Sequence, residues 1–355
     1  MTPSTAADAV AAAAAHVDAG TGSGDVGALL DRHGRVATDL RVSLTDRCNL
    51  RCQYCMPAEG LEWLPTDETL SDAEVVRLVR IAVQRLGVHQ VRLTGGEPLL
   101  RRGLVGLVAE IAALRPRPQI AMTTNALGLA RSAQALSDAG LDRVNVSLDT
   151  VRPDTFEHMT RRDRLADVVA GLEAAAAARL TPVKVNAVLM RGANEDQAGE
   201  LLRWCLDRGY QLRIIEQMPL DAQHAWNREQ MVTAAETLER LEAEFDLTPT
   251  GRLRGSAPAE EFLVDGGPAT VGVIASVTRP FCGDCDRVRL TADGQVRNCL
   301  FAREESDLRA ALRSGAGDDE IARRWQTAMW GKRPGHGIDD PRFLQPVRPM
   351  SAIGG

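Results

Sequence analysis

Six of the seven cysteines in this 355-residue chain fall into two triplets, and cysteine in such spacing is the material of metal sites. Cys48, Cys52 and Cys55 form C-x3-C-x2-C. Three thiolates can ligate three irons of a four-iron cube and leave the fourth iron open, since full ligation takes four cysteines. Spacing alone also admits a zinc ion completed by a distant His, or a cluster completed by a distant Cys. Cys282 and Cys285, with Cys299 after thirteen further residues, repeat the deficit of one ligand. Here zinc with a His or Asp as fourth ligand is again the alternative. Cys205 lies in the apolar helical pattern Leu201-Leu202-Arg203-Trp204-Cys205-Leu206 and reads as core.

These loops need a scaffold. From residue 38 short apolar runs alternate with amphipathic segments, the signature of βα units and a parallel sheet. Strands are expected near 39–44, 90–94, 119–123, 143–148, 183–188 and 211–216, with helices near 72–86, 103–114, 127–138, 165–178 and 195–208. Ser71 and Glu74 form a capping box for the first helix, and Gly87 ends it. Six units predict a partial (β/α)6 TIM-like barrel. The first triplet follows strand one directly, where barrel enzymes keep their chemistry, and no dinucleotide-binding glycine fingerprint replaces it. Gly95-Gly96-Glu97-Pro98 follows strand two, where glycines let backbone approach a ligand and the carboxylate could contact a ligand amine.

Alternation along the strands carries more. Arg41 and Ser43, Arg92 and Thr94, Thr123, Asn145 and Ser147, Lys184 and Asn186 all share one parity, and Val, Leu, Ile and Met occupy the other. Ordinary closed barrels fill the lumen with branched apolar side chains, so a polar, cationic set implies a polar, anionic ligand inside. Lys184 and Lys332 are the only lysines in a chain that otherwise uses Arg, and a compact ammonium at Lys184 suits a phosphate.

After the sixth strand the pattern changes to a helix near 228–245, short strands, and helices near 304–314 and 318–329, an expected C-terminal α+β module. Its clearest feature is a hairpin, Arg287 to Thr291 and Gln295 to Leu300, turning at Asp293-Gly294 in the manner of a type I′ turn. Residues 1–36 lack a large apolar face and are expected to be a mobile extension, ahead of a barrel at 37–220 and a module at 221–355. The net charge of −6 argues against nucleic-acid or membrane-surface binding, and no apolar run reaches membrane-span length, so a cytoplasmic location is expected.

The first triplet together with Gly95-Gly96-Glu97-Pro98 resembles the radical S-adenosylmethionine (SAM) superfamily. The wider pattern over residues 37–355 is similar to the GTP 3′,8-cyclase family of molybdenum cofactor biosynthesis. The matches are the first triplet followed by Met56-Pro57, Arg92 to Leu99, Thr123-Thr124-Asn125, Asn145 to Asp149, Cys282 to Arg289, and Gly354-Gly355. Ala126 departs from the family, which commonly has Gly there, and the N-terminal extension has no counterpart.

The resemblance implies an α/β radical SAM barrel with two [4Fe–4S] clusters, the second carried by the C-terminal module. It implies Tyr54, Gly96, Ser147 and Met218 at SAM, and Arg41, Arg92, Thr123, Lys184, Arg287, Val288 and Arg289 at GTP, with Arg41, Arg287 and Arg289 as catalytic residues. Guanine would sit at the open iron of the second cluster. By the same resemblance, SAM cleavage yields a radical that takes hydrogen from C3′ of the ribose, and that carbon closes on C8 of guanine. An external electron donor, hand-off to cyclic pyranopterin monophosphate synthase, and a monomer or homodimer complete the expectation. The Gly-Gly tail is a secondary site candidate.

Overall fold

The computed structural model describes residues 27–354. Its strands are β1 (Asp39–Ser43), β2 (Gln90–Thr94), β3 (Gln119–Thr124), β4 (Arg143–Ser147), β5 (Lys184–Val188) and β6 (Gln211–Ile215), followed by β7 (Leu247–Pro249), β8 (Glu260–Val264), β9 (Thr270–Ile274), β10 (Arg287–Leu290), β11 (Gln295–Arg297) and β12 (Ser306–Asp307). The helices are α1 (Asp72–Arg85), α2 (Leu104–Ala112), α3 (Ala133–Asp138), α4 (Pro153–Thr160), α5 (Leu165–Ala177), α6 (Ala198–Asp207), α7 (Ala234–Glu242), α8 (Arg309–Arg313), α9 (Asp318–Trp330) and α10 (Met350–Ile353).

All strands join one sheet in the order β12-β11-β10-β1-β2-β3-β4-β5-β6-β9-β8-β7. Strands β1 to β6 are parallel and in sequence order, the six βα units expected. The C-terminal strands form no sheet of their own. Parallel β9 extends the sheet beyond β6 and parallel β10 extends it beyond β1, so the expected second module embraces the barrel at both edges. The reason is physical: a six-stranded partial barrel leaves two rows of unpaired backbone groups, which these strands satisfy.

Alternation sorts the side chains as the sequence implies. Leu40, Val42, Val91, Leu93, Ile120, Met122, Val144, Val146, Val185 and Leu212 are buried in the apolar layer that the helices cover. Helix α1 contributes Val75, Leu78, Val79 and Ala82 at helical spacing, and its Ser71–Glu74 capping box is formed. Cys205 is fully buried in this core. Among the described residues no helix is long and apolar enough to cross a membrane.

Several boundaries shift. Of the extension expected over 1–36, residues 1–26 lie outside the described residues, while the last part is packed: Leu29 is fully buried, and Leu30 bridges Val36. Arg35 explains this, with its guanidinium bound to Asp31 at 2.6 Å, Cys282 O at 2.6 Å, Arg333 O at 2.6 Å and Pro334 O at 3.0 Å. The helix expected from 228 starts at Ala234, because Thr233 and Glu236 make a capping box and Met231 bridges Met190. The helix expected from 304 starts at Arg309, after β12. Helix α4, opened by Pro153 in its first turn, has no counterpart among the expected helices. The β10–β11 turn has positive φ only at Gly294, so it is not type I′, and the Thr291 hydroxyl closes it by bonding Asp293 at 2.6 Å.

Candidate active site: two cysteine triplets around one cavity

The first triplet occupies the loop after β1. Gly96 N donates to Thr45 O at 2.7 Å and Glu97 N to Arg47 O at 2.8 Å, so the glycine segment lies flat against the lead-in to the cysteines. A Cβ at Gly96 would collide with the carbonyls of Arg47 and Asp46, and Gly95 has φ +136, which explains the two glycines. Inside the loop Arg51 donates to Cys48 O at 2.7 Å and Leu50 O at 2.8 Å. The three half-buried thiols line a pocket with Tyr54, Gly95, Gly96, Asn125, Ser147, Asp149, Met350 and Ser351.

Its electrostatics suit a ligand that brings positive charge. Burial pushes the Cys55 thiol up to about 12 and raises Cys48 and Cys52 as well, with Asp149 adding to the shift at Cys52. Burial also lifts Asp149 to about 6, although Val188 N and Tyr54 OH both donate to it at 2.9 Å. The one side-chain donor on a sulfur is neutral: Asn125 Nδ2 lies 3.8 Å from Cys48 Sγ.

Glu97 corrects an expectation. Its carboxylate is fully buried, accepting from Thr124 Oγ1 and Asn125 N at 2.6 Å and from Leu99 N at 3.0 Å, and it does not line the pocket. Glu97 pins the ends of β2 and β3 together and is not free to meet a ligand amine.

The second triplet forms across the sheet edge. Cys282 and Cys285 bracket one turn, with Cys285 N donating to Cys282 O at 3.3 Å, and Cys299 follows β11. Extending the Arg289–Arg297 register brings Cys299 level with Arg287, and all three cysteines line one cavity. Cations surround them. Lys332 Nζ lies 3.4 Å and Arg287 Nη1 3.8 Å from Cys285 Sγ. Burial pushes the Cys285 thiol up, but Lys332 and Arg287 outweigh it and leave it lowered.

That cavity, about 270 Å³, fills the lumen of the partial barrel. Eight strands supply its wall, including Arg41, Arg92, Thr123, Asn186, Arg213, Ile274, Arg287 and Arg289. Tyr54, Thr123, Ser147, Asp149 and Met350 line both this cavity and the first pocket, so the two are contiguous. Asp39 Oδ2 sits 4.0 Å from nitrogens of Arg41, Arg92 and Arg287 and is the carboxylate at the centre of this cationic group. Burial and neighbouring guanidinium groups lower Arg41 to about 9 and Arg92 to about 10. Arg41 Nε, Arg92 Nε, Arg287 Nε, Asn145 Oδ1 and Asn186 Oδ1 are buried without a hydrogen-bond partner. Unsatisfied buried polar groups and cations are costly unless a ligand completes them; the three guanidinium donors match an anion, and the two amide oxygens match hydroxyl or N–H donors on the same ligand.

Lys184 is not among the residues lining the cavity; it opens β5 level with Asn145, two positions before Asn186, and burial with the charges of Arg213 and Arg143 lowers it to about 8. Met218 lines the cavity rim. Val288 does not join the others: its side chain is fully buried in the apolar core, because alternation turns it away from Arg287 and Arg289. The last described residues do reach the site. Met350 and Ser351 line the first pocket, and Arg289 donates to Gly354 O, while Gly355 lies outside the described residues.

The sequence reading missed Asp39, Asp149 and Arg213 as site residues. Asp39 and Arg213 share the inward parity of Arg41 and Asn186, which was the available signal.

Among the described residues no three Cys, His, Asp or Glu side chains converge on a point as ligands of a single metal ion do. In a cubane each thiolate takes its own iron, so fit rests on the loop and its surroundings. Both triplets fit: three thiols per loop, facing contiguous cavities, with polar lumen groups awaiting a partner.

Comparison with known proteins agrees. The profile of the radical SAM superfamily matches residues 42–205, and that of Molybdenum Cofactor Synthesis C matches residues 210–338. A GTP 3′,8-cyclase of Streptomyces coelicolor is 68% identical over 328 residues, covering 92% of this chain and 96% of that protein. One from a Mycobacterium species is 66% identical over 329 residues, covering 93% and 94%. The structure of Streptococcus suis SuiB bound to S-adenosylmethionine superposes with a TM-score of 0.57 at 14% identity, over 79% of this chain and 67% of that one, a likeness of fold. With two cysteine triplets on one cationic lumen and this identity across almost the whole length, the chain belongs to the GTP 3′,8-cyclase family of the radical SAM superfamily.

Proposed function

We propose that this enzyme converts GTP to 3′,8-cyclo-7,8-dihydro-GTP, the first step of molybdenum cofactor biosynthesis, with SAM and two [4Fe–4S] clusters. The observation that carries the reading is the contiguity of the two pockets, which share Tyr54, Thr123, Ser147, Asp149 and Met350. When bound, the first cluster and SAM supply a hydrogen-abstracting radical. The protein's own contribution is placement and exclusion of side reactions.

Cys48, Cys52 and Cys55 hold the first cluster, and Gly96, Ser147, Tyr54 and Met218 hold SAM. Asp149, pinned by Tyr54 OH at 2.9 Å, supplies the negative charge facing a cationic ligand. At the other end Cys282, Cys285 and Cys299 hold the second cluster and leave one iron for the guanine. Arg41, Arg92, Lys184, Arg213, Arg287 and Arg289 bind the triphosphate, and Thr123 the ribose. Val288 contributes through backbone alone, since its side chain is in the core. Anchored at both ends, the ribose has little freedom, and such positioning is where an enzyme of this kind gains rate. The carbonyl of Gly354 on Arg289 brings the Met350–Gly354 segment to the same place.

We assign residues 37–220 to the barrel and 221–355 to the module that closes it. The electron comes from an external donor, and the product passes to cyclic pyranopterin monophosphate synthase. An anaerobic assay with reductant, SAM and GTP tests the reading. It predicts 5′-deoxyadenosine and the cyclised nucleotide in equal amounts, and 5′-deoxyadenosine with no nucleotide product would refute it.

A further inference from the structure

One buried cation has no part in the reaction as described. The chain uses Arg almost throughout, and of its two lysines Lys184 shares the inward parity of Asn186 on β5, leaving Lys332. Lys332 follows the end of α9 and is only 2% exposed. Its Nζ donates to Arg287 O at 2.8 Å and Cys285 O at 3.2 Å, and lies 3.4 Å from Cys285 Sγ. These acceptors use the three N–H groups an ammonium offers. Among the described residues no carboxylate pairs with Lys332 within salt-bridge distance, although a buried cation without a counter-charge is costly. The group that faces it is Cys285 Sγ, which is a thiolate when it ligates a cluster iron. A planar guanidinium fork cannot direct three donors from one point onto a sulfur and two carbonyls, which explains a lysine in an arginine-rich chain.

Arg35 supplies a contrast nearby. It ties the same segments together through Cys282 O, Arg333 O and Pro334 O, and no sulfur accepts from it. The backbone clamp and the sulfur contact are therefore carried by different residues.

We infer that Lys332 is a positioning residue of the second cluster, holding Cys285 Sγ and the backbone of Arg287 together and raising the reduction potential of the cluster bound by Cys282, Cys285 and Cys299. The inference rests on the reading of that triplet as a [4Fe–4S] site. One-electron reduction, from the 2+ to the 1+ state, adds one negative charge to the cube. A fixed cation and a hydrogen bond at a ligand sulfur both favour the reduced form.

The test compares reconstituted holoenzyme with Lys332→Met, Lys332→Gln and Arg35→Gln, with dithionite as the electron source. Iron is counted first, and two clusters in the wild type establish the reading on which the inference rests. The midpoint of the SAM-insensitive cluster signal is then followed by electron paramagnetic resonance. The expected order is wild type highest, Lys332→Gln lower and Lys332→Met lowest, with Arg35→Gln, whose cation is already paired with Asp31, displaced less than Lys332→Gln. SAM cleavage without GTP should stay at the wild-type rate in the Lys332 variants. A wild-type midpoint in Lys332→Met with its iron retained overturns the inference. If that variant loses the second cluster, Lys332→Gln decides, and an unchanged midpoint there overturns it equally.

Discussion

Around Cys48, Cys52 and Cys55 the charges acting on the sulfurs are mostly carboxylates, Asp149 at Cys52, Glu97 at Cys48 and Asp221 at Cys55, with Arg51 as the opposing cation at Cys48, and the sulfur contact is the neutral amide of Asn125 at 3.8 Å. Around Cys282, Cys285 and Cys299 they are the cations Lys332 and Arg287, at 3.4 Å and 3.8 Å from a sulfur. The same three-thiol device thus stands in two opposite fields. The first field favours a cationic ligand and would make a cluster held there harder to reduce. The second favours an anionic ligand and would make a cluster held there easier to reduce. Under the proposed function, the division of labour between radical generation and substrate holding would follow from charge placement and not from ligand count.

The largest predicted effect breaks the comparison outright. Cys52→Ser should abolish 5′-deoxyadenosine formation, whereas Cys285→Ser should retain uncoupled SAM cleavage and lose the cyclised nucleotide to background. If both variants lose SAM cleavage alike, the two triplets are not functionally separate.

Next is Asp39, which balances Arg41, Arg92 and Arg287. Asp39→Asn leaves three buried cations repelling one another and should cost about 3 kcal/mol of unfolding free energy. Saturating GTP should recover most of that in thermal unfolding, while SAM should not.

Arg213→Ala removes one charge-assisted contact and should raise the KM for GTP roughly 10- to 100-fold, with SAM cleavage retained. An unchanged KM would remove Arg213 from the triphosphate site.

A smaller effect is readable from pH. Burial and the charges of Arg213 and Arg143 bring Lys184 to about 8. Below that value the free enzyme carries the ammonium. Above it, binding GTP requires proton uptake, so affinity should fall by up to about tenfold per pH unit. Lys184→Arg should bind less well throughout yet show no bend near that pH, and a bend that persists would assign the titration elsewhere.

The smallest is Asn125→Ala. It should shift the midpoint of the first cluster by less than Lys332→Met shifts the second, since a neutral donor at 3.8 Å is a weaker influence than a cation at 3.4 Å.

Much of this architecture was legible in the sequence because period-two alternation is a local signal. The parity of Arg41, Arg92, Thr123 and Asn186 placed them in the lumen together. The same rule, applied to Val288 within its motif, points it into the core, and applied to Asp39 and Arg213 points them inward. What stayed illegible depends on long-range pairing. That β9 and β10 would cap the two edges of the barrel depends on which backbone rows remain unpaired after folding. The docking of Arg35 on a loop 247 residues away has no local pattern at all. Glu97 lay in a recognised segment, but its bonds to Thr124 and Asn125 come from a neighbouring strand. For Lys332 the rarity of lysine in the chain was the signal.

The central claim, that GTP lies across both pockets with its ribose toward SAM, is tested most directly with GTP deuterated at C3′ in an anaerobic turnover. The account predicts that the 5′-deoxyadenosine formed carries one deuterium from the substrate and matches the cyclised nucleotide in amount. Unlabelled 5′-deoxyadenosine formed alongside that product would contradict it.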